Sequence, residues 1–284
     1  MSFRRSFAPI SLVAVLGFVS FGFSPAVHPQ QAKTPTLDEI LKRLEANLNH
    51  YDGGLPSLFC DEHVVSRVEP GLADENAVTD SIFRLKRAEN PDHTKTLAES
   101  REIKMVDGRP PDAKQIKGFP SLLSGAFEGG FAVVSLNQKS CMKYTLERIH
   151  GNRPNEPYVV DFVTALTPEN SADCLLQEKS KGRVFIDPAS MEIKHLELTA
   201  QRHVIVRGNA YERPVLGKWS VAVDYAPVVL DGDTFWMPAT IRSRDVSTSE
   251  GFHSTLWSFD ATYRNYHRLE VKSRILPAGE APAR

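Results

Sequence analysis

The chain has 284 residues, 34 Lys and Arg against 35 Asp and Glu, a formal net charge of −1 at pH 7, and 41% hydrophobic residues. This near-neutral balance without a basic cluster excludes nucleic acid as a main partner. Only three cysteines are present, which excludes a small disulfide-dense scaffold.

Arg4 and Arg5 precede an apolar run from Phe7 to Phe23, and Ser24-Pro25-Ala26 places small residues at the −3 and −1 positions. That layout predicts a secretory signal peptide over residues 1–26, cut after Ala26. The alternative is an uncleaved anchor. The run is close to the lower limit for a span of ~19 residues and contains Pro9, Gly17 and Gly22. No cysteine closely follows it, which argues against lipidation at the new N-terminus. Loss of Arg4 and Arg5 takes the formal charge to about −3, and the ~258 residues that remain suffice for one domain with a sizeable core. No other run could span a bilayer, so a soluble periplasmic or secreted protein is expected, with no transmembrane segment after signal removal.

An exported chain can keep a disulfide, and three cysteines allow at most one within the chain. Spacing alone does not fix the connectivity. Cys174 in a polar loop and Cys141 near a strand start favour Cys141–Cys174, while Cys60, after Leu58 and Phe59, reads as a small buried hydrophobe.

Residues 27–35 read as a flexible lead-in. Thr36-Leu37-Asp38-Glu39 has the form of a capping box. Leu37, Ile40, Leu41, Leu44 and Leu48 then make one apolar stripe at helical spacing, ended by Gly53-Gly54. Leu55–Val68 predicts a strand with a bulge near Val64-Val65. Glu69–Asp80 reads as an acidic loop, and Ser81–Ala88 and Thr94–Val106 as strands. Phe119, Leu122, Leu123, Ala126 and Phe127 predict a short apolar helix between Pro120 and Gly129-Gly130. Strands follow over Cys141–Arg148 and Tyr158–Leu166.

The stretch GRVFIDPASMEIKHLEL, Gly182–Leu198, reads as strand, turn and return strand, with Asp187-Pro188 opening the turn. In the last third, Trp219, Val221, Val223 and Tyr225 share one face. Pro227 signals a bulge or an edge, and Asp231-Gly232-Asp233 signals a hairpin. Thr255, Trp257, Phe259, Ala261 and Tyr263 alternate with polar residues, and Leu269–Ile275 is expected as a last strand. Residues 277–284 read as a disordered tail. The expectation is a single β-rich half-barrel domain over residues 36–276. Its class is α+β: a curved antiparallel sheet forming an incomplete β-barrel, covered by the N-terminal helix and the short apolar helix.

LPSLFCDEHVVSRV, GRVFIDPASMEIKHLEL and VDYAPVVLDGDTFWMPATI, followed by FDATYRNYHRLEVKS, together resemble a group of uncharacterised secreted proteins common in acidobacteria. The middle hairpin and the later strand ending in Met-Pro are also similar to the periplasmic lipoprotein-carrier superfamily, which includes the outer-membrane lipoprotein-sorting carriers. The resemblance implies an incomplete barrel closed by helices around an apolar cavity that holds acyl chains. The chain departs from the carriers in its greater length, its acidic insert near Glu69–Asp80 and its extra cysteines.

The local chemistry points away from catalysis. Cys60-Asp61-Glu62-His63 places two ligands on each strand face, fewer than a zinc site needs. There is no G-x-S-x-G elbow and no glycine-rich phosphate loop, so no catalytic residue, metal site or cofactor is expected. The ligand-lining candidates are Phe119, Leu123, Phe127, Trp219, Tyr225, Trp236, Trp257 and Phe259; the alternative is that they simply fill a core. Arg242, Arg244, Arg264 and His267 could meet an anionic head group at a cavity rim or form an ordinary solvated face. The expected function is non-catalytic: an exported protein holding a lipid or lipidated peptide. The alternative is a structural or protein-interaction domain of the cell envelope with a filled core and an envelope protein as partner.

Overall fold

A computed structural model describes residues 35–68, 76–89, 95–113, 115, 140–147, 155–174, 176–206, 213–247 and 254–270. They belong to one compact unit, Pro35–Arg284. The expected signal peptide, the short apolar helix with Phe119, Leu123 and Phe127, and the C-terminal tail lie outside the described residues.

Helix α1 spans Leu37–Gly54. Its start is fixed by the capping box: the Thr36 hydroxyl accepts from the Glu39 backbone N–H at 3.3 Å, and the Glu39 carboxylate accepts from the Thr36 N–H at 2.7 Å. Ile40, Leu41 and Leu44 are fully buried, so the stripe faces the sheet.

The strands are β1 (Leu58–Val68), β2 (Ala77–Glu89), β3 (Lys95–Val106), β4 (Met142–Leu146), β5 (Tyr158–Thr164), β6 (Ser180–Ile186), β7 (Ile193–Val206), β8 (Arg213–Leu230), β9 (Asp233–Ser247) and β10 (Ser254–Arg268). They form one sheet in the order β3-β2-β1-β10-β9-β8-β7-β6-β5-β4, with every pair antiparallel. β3 and β4 are its two ends, so the sheet is not closed into a barrel. After β3 the chain restarts at the opposite end with β4 and works back strand by strand until β10 pairs with β1.

Local chemistry sets the turns. Asp231 (φ 56°) and Gly232 (φ 90°) both have positive φ, the two-residue turn that matches strand twist. In the β6–β7 connection, Asp187 Oδ1 accepts from the Ala189 and Ser190 N–H groups at 3.0 and 2.9 Å, and Met191 takes the left-handed position at φ 59°. Between them, Gly182 lies opposite Phe162 on β5 and Leu198 on β7. A Cβ there would sit 2.2 Å from Phe162 Cζ, so the ring occupies the space a side chain would need.

Several expected details shift. The β1 bulge falls between Phe59 and Asp61 in the pairing with β10, whereas Val64 and Val65 stay in regular register. β2 begins at Ala77, inside the stretch expected as loop. Pro227 lies in the interior of β8, which is not an edge; the register shift comes earlier, at Asp224/Tyr225. Pro227 is exposed. Among the described residues the last strand, β10, ends at Arg268, and Leu269 and Glu270 are in no strand; the remainder of the expected strand, 271–275, lies outside the described residues. Cys141 and Cys174 are joined by a disulfide, and Cys60 is a buried free thiol.

Candidate functional site

Strand alternation gives the sheet two unlike faces. The face that receives α1, called inner here, carries matching apolar rows. One row runs Val64, Ala261, Ile241, Val223, Leu196, Val184 and Val160 from β1 to β5, all buried. The other face carries ion pairs, so its strands read polar at alternate positions.

α1 is anchored through its C-terminal half, where Asn47 and Tyr51 lie one turn apart. The Tyr51 hydroxyl donates to the Trp236 carbonyl at 3.0 Å, and the Tyr51 ring meets Phe235 edge-on. Asn47 Nδ2 donates to the Met191 carbonyl at 2.9 Å, and Asn47 also bonds the Glu192 carboxyl. Burial against the helix pushes the Glu192 carboxyl up to about 7, with the Asn47 hydrogen bond opposing the shift.

Toward β3 the inner face turns polar. Glu62 is 1% exposed and accepts from Arg101 Nε at 2.9 and 2.8 Å. Glu62 lies opposite Ser81 on β2, and Arg101 lies opposite Phe83, one row away. Arg101 therefore reaches diagonally across β2, and its guanidinium sits 4.9 Å from the Phe83 ring centroid. Glu99 Oε2 is 3.9 Å from Arg101 Nη1. Burial alone would loosen the Arg101 proton, but the Glu62 carboxylate outweighs it and the net direction is upward. The Tyr263 hydroxyl bonds Glu62, and burial, then the Glu62 charge, hold Tyr263 well above the ordinary phenol range. Burial, then Glu62, pushes the Cys60 thiol up to about 12, so it is an inert thiol at neutral pH.

Two hydroxyls in this region differ from their neighbours. Thr79 and Ser81 are 1% and 4% exposed, and among the described residues neither Thr79 Oγ1 nor Ser81 Oγ has a hydrogen-bond partner.

The aromatic candidates separate. Phe259 is fully buried and stacks on half-buried Trp257, with centroids 5.9 Å apart. Trp219 is half-buried and donates its indole N–H to Ser243 Oγ at 2.8 Å. Trp257 and Trp219 are both paired with Asp245 of β9, so they flank it near one end of the inner face. Tyr225 is buried near Tyr51, at the far end of β8. Trp236, paired with exposed Pro227, alternates with buried Phe235 and Met237; it meets α1 through its backbone. Thus Trp219, Trp257 and Phe259 come together, and Tyr225 and Trp236 belong to the helix contact.

The expected cationic rim is dispersed over the other face. Arg244 makes two 2.8 Å bonds to Asp260, and Arg242 bonds Asp224 at 3.2 Å. His267 stacks on Phe59, with centroids 5.2 Å apart. Arg264 lines a cleft of about 510 Å³ with Asp61, His63, Asp80 and Lys104, in which His63 Nδ1 is 2.7 Å from Asp80. His195 has both ring nitrogens beside carboxylates, Asp224 at 2.6 Å and Glu197 at 3.2 Å, which leaves it no position facing a nucleophile. Burial opposes ionisation of Asp224, yet bonds from Thr240 and His195 hold its carboxyl below the usual range. Among the described residues, no three His, Cys, Asp or Glu side chains converge as a metal site.

Sequence reasoning weighed Glu62 only as a metal ligand and missed Arg101, Thr79 and Ser81. The signal available was the break in apolar alternation at Glu62 and Arg101, beside Leu58, Cys60 and Val64 on β1 and Ile103 on β3.

No protein-family model matches the chain, and no curated protein matches it. Among solved structures it is distantly similar to a LolA superfamily protein from Nitrosomonas europaea, at 10% identity and a TM-score of 0.35, over 84% of this chain and 96% of that one. It is also distantly similar to a DUF1329 family protein from Desulfovibrio piger, at 8% identity and a TM-score of 0.40, over 87% of this chain and 96% of that one.

Proposed function

We propose that this chain is an exported, non-catalytic binding protein that takes an apolar ligand, a lipid or lipidated peptide, against the inner face of its open sheet. The observation that carries the reading is the open sheet itself. Its order ends at β3 and β4, so it is not closed, and its inner face carries a continuous buried apolar row from β1 to β5 with α1 packed on the same side. The half-buried Trp219 and Trp257 mark where that face meets solvent.

The disulfide supports an oxidising compartment, and no helix among the described residues is long and apolar enough to cross a membrane. The interaction-domain reading has less behind it. β4 has only five residues, and β3 presents exposed Glu102 and Lys104, both of which blunt edge-to-edge pairing.

Native mass spectrometry of the protein purified from a bacterial periplasm, followed by solvent extraction, tests the reading. The expected result is a co-purifying lipid mass that is lost on denaturation. A clean apo mass, with no uptake of an added fluorescent fatty acid, overturns it.

A further inference from the structure

On the outer face a cleft of about 510 Å³ opens where β3, β2, β1 and β10 lie side by side. Two register shifts border it, one between Phe59 and Asp61 in the pairing with β10, the other between Asp80 and Ser81 in the pairing with β3. Such irregularities sharpen the local twist and re-aim side chains, which hollows an otherwise even face. Asn265, at φ 55°, is a third departure at the same place.

The charges that line the cleft fall into two groups. Some are committed: His63 Nδ1 lies 2.7 Å from Asp80 Oδ1, and Lys104 pairs with Glu102, which Arg84 also holds. Asp61 and Arg264 are not. They are opposite each other on β1 and β10, yet among the described residues no ion pair joins them. Asp61 Oδ2 instead accepts from the Asn265 amide at 2.7 Å, a neutral partner. Among the described residues Arg264 has neither a hydrogen-bond nor an ion-pair partner. The cleft therefore presents one uncompensated carboxylate and one uncompensated guanidinium on neighbouring strands.

We propose that this cleft binds a short zwitterionic peptide, its carboxylate on Arg264 and its ammonium group on Asp61. The site lies on the opposite face from the apolar-ligand surface and does not depend on that reading. Charge selects the class. A simple anion would meet the Asp61 and Asp80 carboxylates, and a simple cation would meet Arg264 and Lys104. A ligand carrying both signs finds a partner for each. The planar guanidinium fork matches a carboxylate, and Asp61 offers acceptor oxygens to an N–H donor. Among the described lining residues there is no Phe, Tyr or Trp, so a quaternary ammonium has no such ring to lie on. The volume is more than a single amino acid fills, which favours a peptide.

The test is an amide NMR titration of the full chain at low ionic strength, where exposed charges act most strongly. The probes are alanyl-alanine, N-acetyl-alanyl-alanine, alanyl-alanine amide and phosphocholine. The wild type is expected to bind alanyl-alanine about fivefold more tightly than any of the other three, the scale of one exposed charge pair. The shifts should centre on Asp61, Arg264 and Asn265. In Arg264→Gln the preference over the amide should vanish and the preference over the acetylated peptide should stay; Asp61→Asn should do the reverse. Arg264→Lys, which keeps the charge, should retain the preference over the amide. Both side chains are exposed, so neither substitution opens the core. Equal binding of all four probes overturns the proposal. Tightest binding of the acetylated peptide, of the amide or of phosphocholine also overturns it, in favour of an anion, a cation or a lipid head group. The absence of any saturable shift, or variants that keep both preferences, overturns it as well.

Discussion

Replacing Arg101 by Met tests whether the Glu62–Arg101 pair is the buried charge pair that the fold is built around. Met keeps most of the stem volume and removes the charge. Glu62 would then be a fully buried carboxylate whose remaining partner is the Tyr263 hydroxyl. Stranding one member of a buried pair costs about 3–5 kcal/mol. A Coulomb estimate at an effective dielectric near 20 and a separation of ~4 Å gives about 4 kcal/mol, in agreement. For a domain of this size each kcal/mol moves the midpoint by about 2–4 °C, so a fall of roughly 8–16 °C is expected in a thermal melt. Adding Glu62→Gln should recover most of the loss, because neither charge then remains, and urea melts of the four proteins give the coupling energy. A loss below about 1 kcal/mol would refute the reasoning, since that is the behaviour of an exposed pair.

Glu192 carries a carboxyl raised to about 7 by burial against α1, so the folded state holds its proton more tightly than the unfolded chain. Its contribution to stability is full below about pH 4.5 and is lost as pH rises through about 7. Glu192→Gln should therefore stabilise the protein by about 1–2 kcal/mol at pH 8, after allowance for partial exposure, and leave it unchanged at pH 4; melts at both values decide it. Gly182→Ala places a Cβ 2.2 Å from Phe162 and from the Glu197 carbonyl oxygen, and should cost several kcal/mol, roughly 2–4, in a urea melt. Gly182→Ala/Phe162→Leu should recover part of that by freeing the ring's space. Cys141 and Cys174 enclose a loop of 33 residues' separation, so Cys141→Ser/Cys174→Ser should lose about 3–4 kcal/mol relative to the oxidised wild type, with no effect once the wild type is reduced.

What could be read locally was readable. The capping box needs only Thr36 and Glu39 and the helix stripe only i, i+3 and i+4, so α1 followed from a window of 18 residues. The late hairpins followed from Asp231-Gly232 and from clean alternation, because a half-buried antiparallel strand writes its two faces into every second residue. Pro227 misled because its missing N–H was weighed without the tertiary neighbour. The register shift two positions earlier had already reset the ladder, and exposed Pro227 needs no edge to be tolerated there. The start of β2 was hidden for a related reason: Ala77-Val78-Thr79-Asp80 is ordinary loop composition. It becomes strand only because β1 offers it a partner from Val64 to Ser66.

The polar end of the inner face was invisible for a stronger reason. Glu62 and Arg101 are 39 residues apart, and nothing in either strand names the other. They meet only because β1, β2 and β3 are consecutive neighbours and because Ser81, opposite Glu62, is small enough to let a long side chain cross above it. A Leu at position 81 would fit the apolar alternation of β2 better and would close that diagonal. The sequence departs from the alternation at Glu62, Ser66, Thr79, Ser81, Glu99 and Arg101, on three adjacent strands and one face. A single polar intrusion in a core strand reads as local accident. Several that converge, with Glu62 and Arg101 satisfying each other, make a buried polar end of the inner face that only the three-strand arrangement assembles.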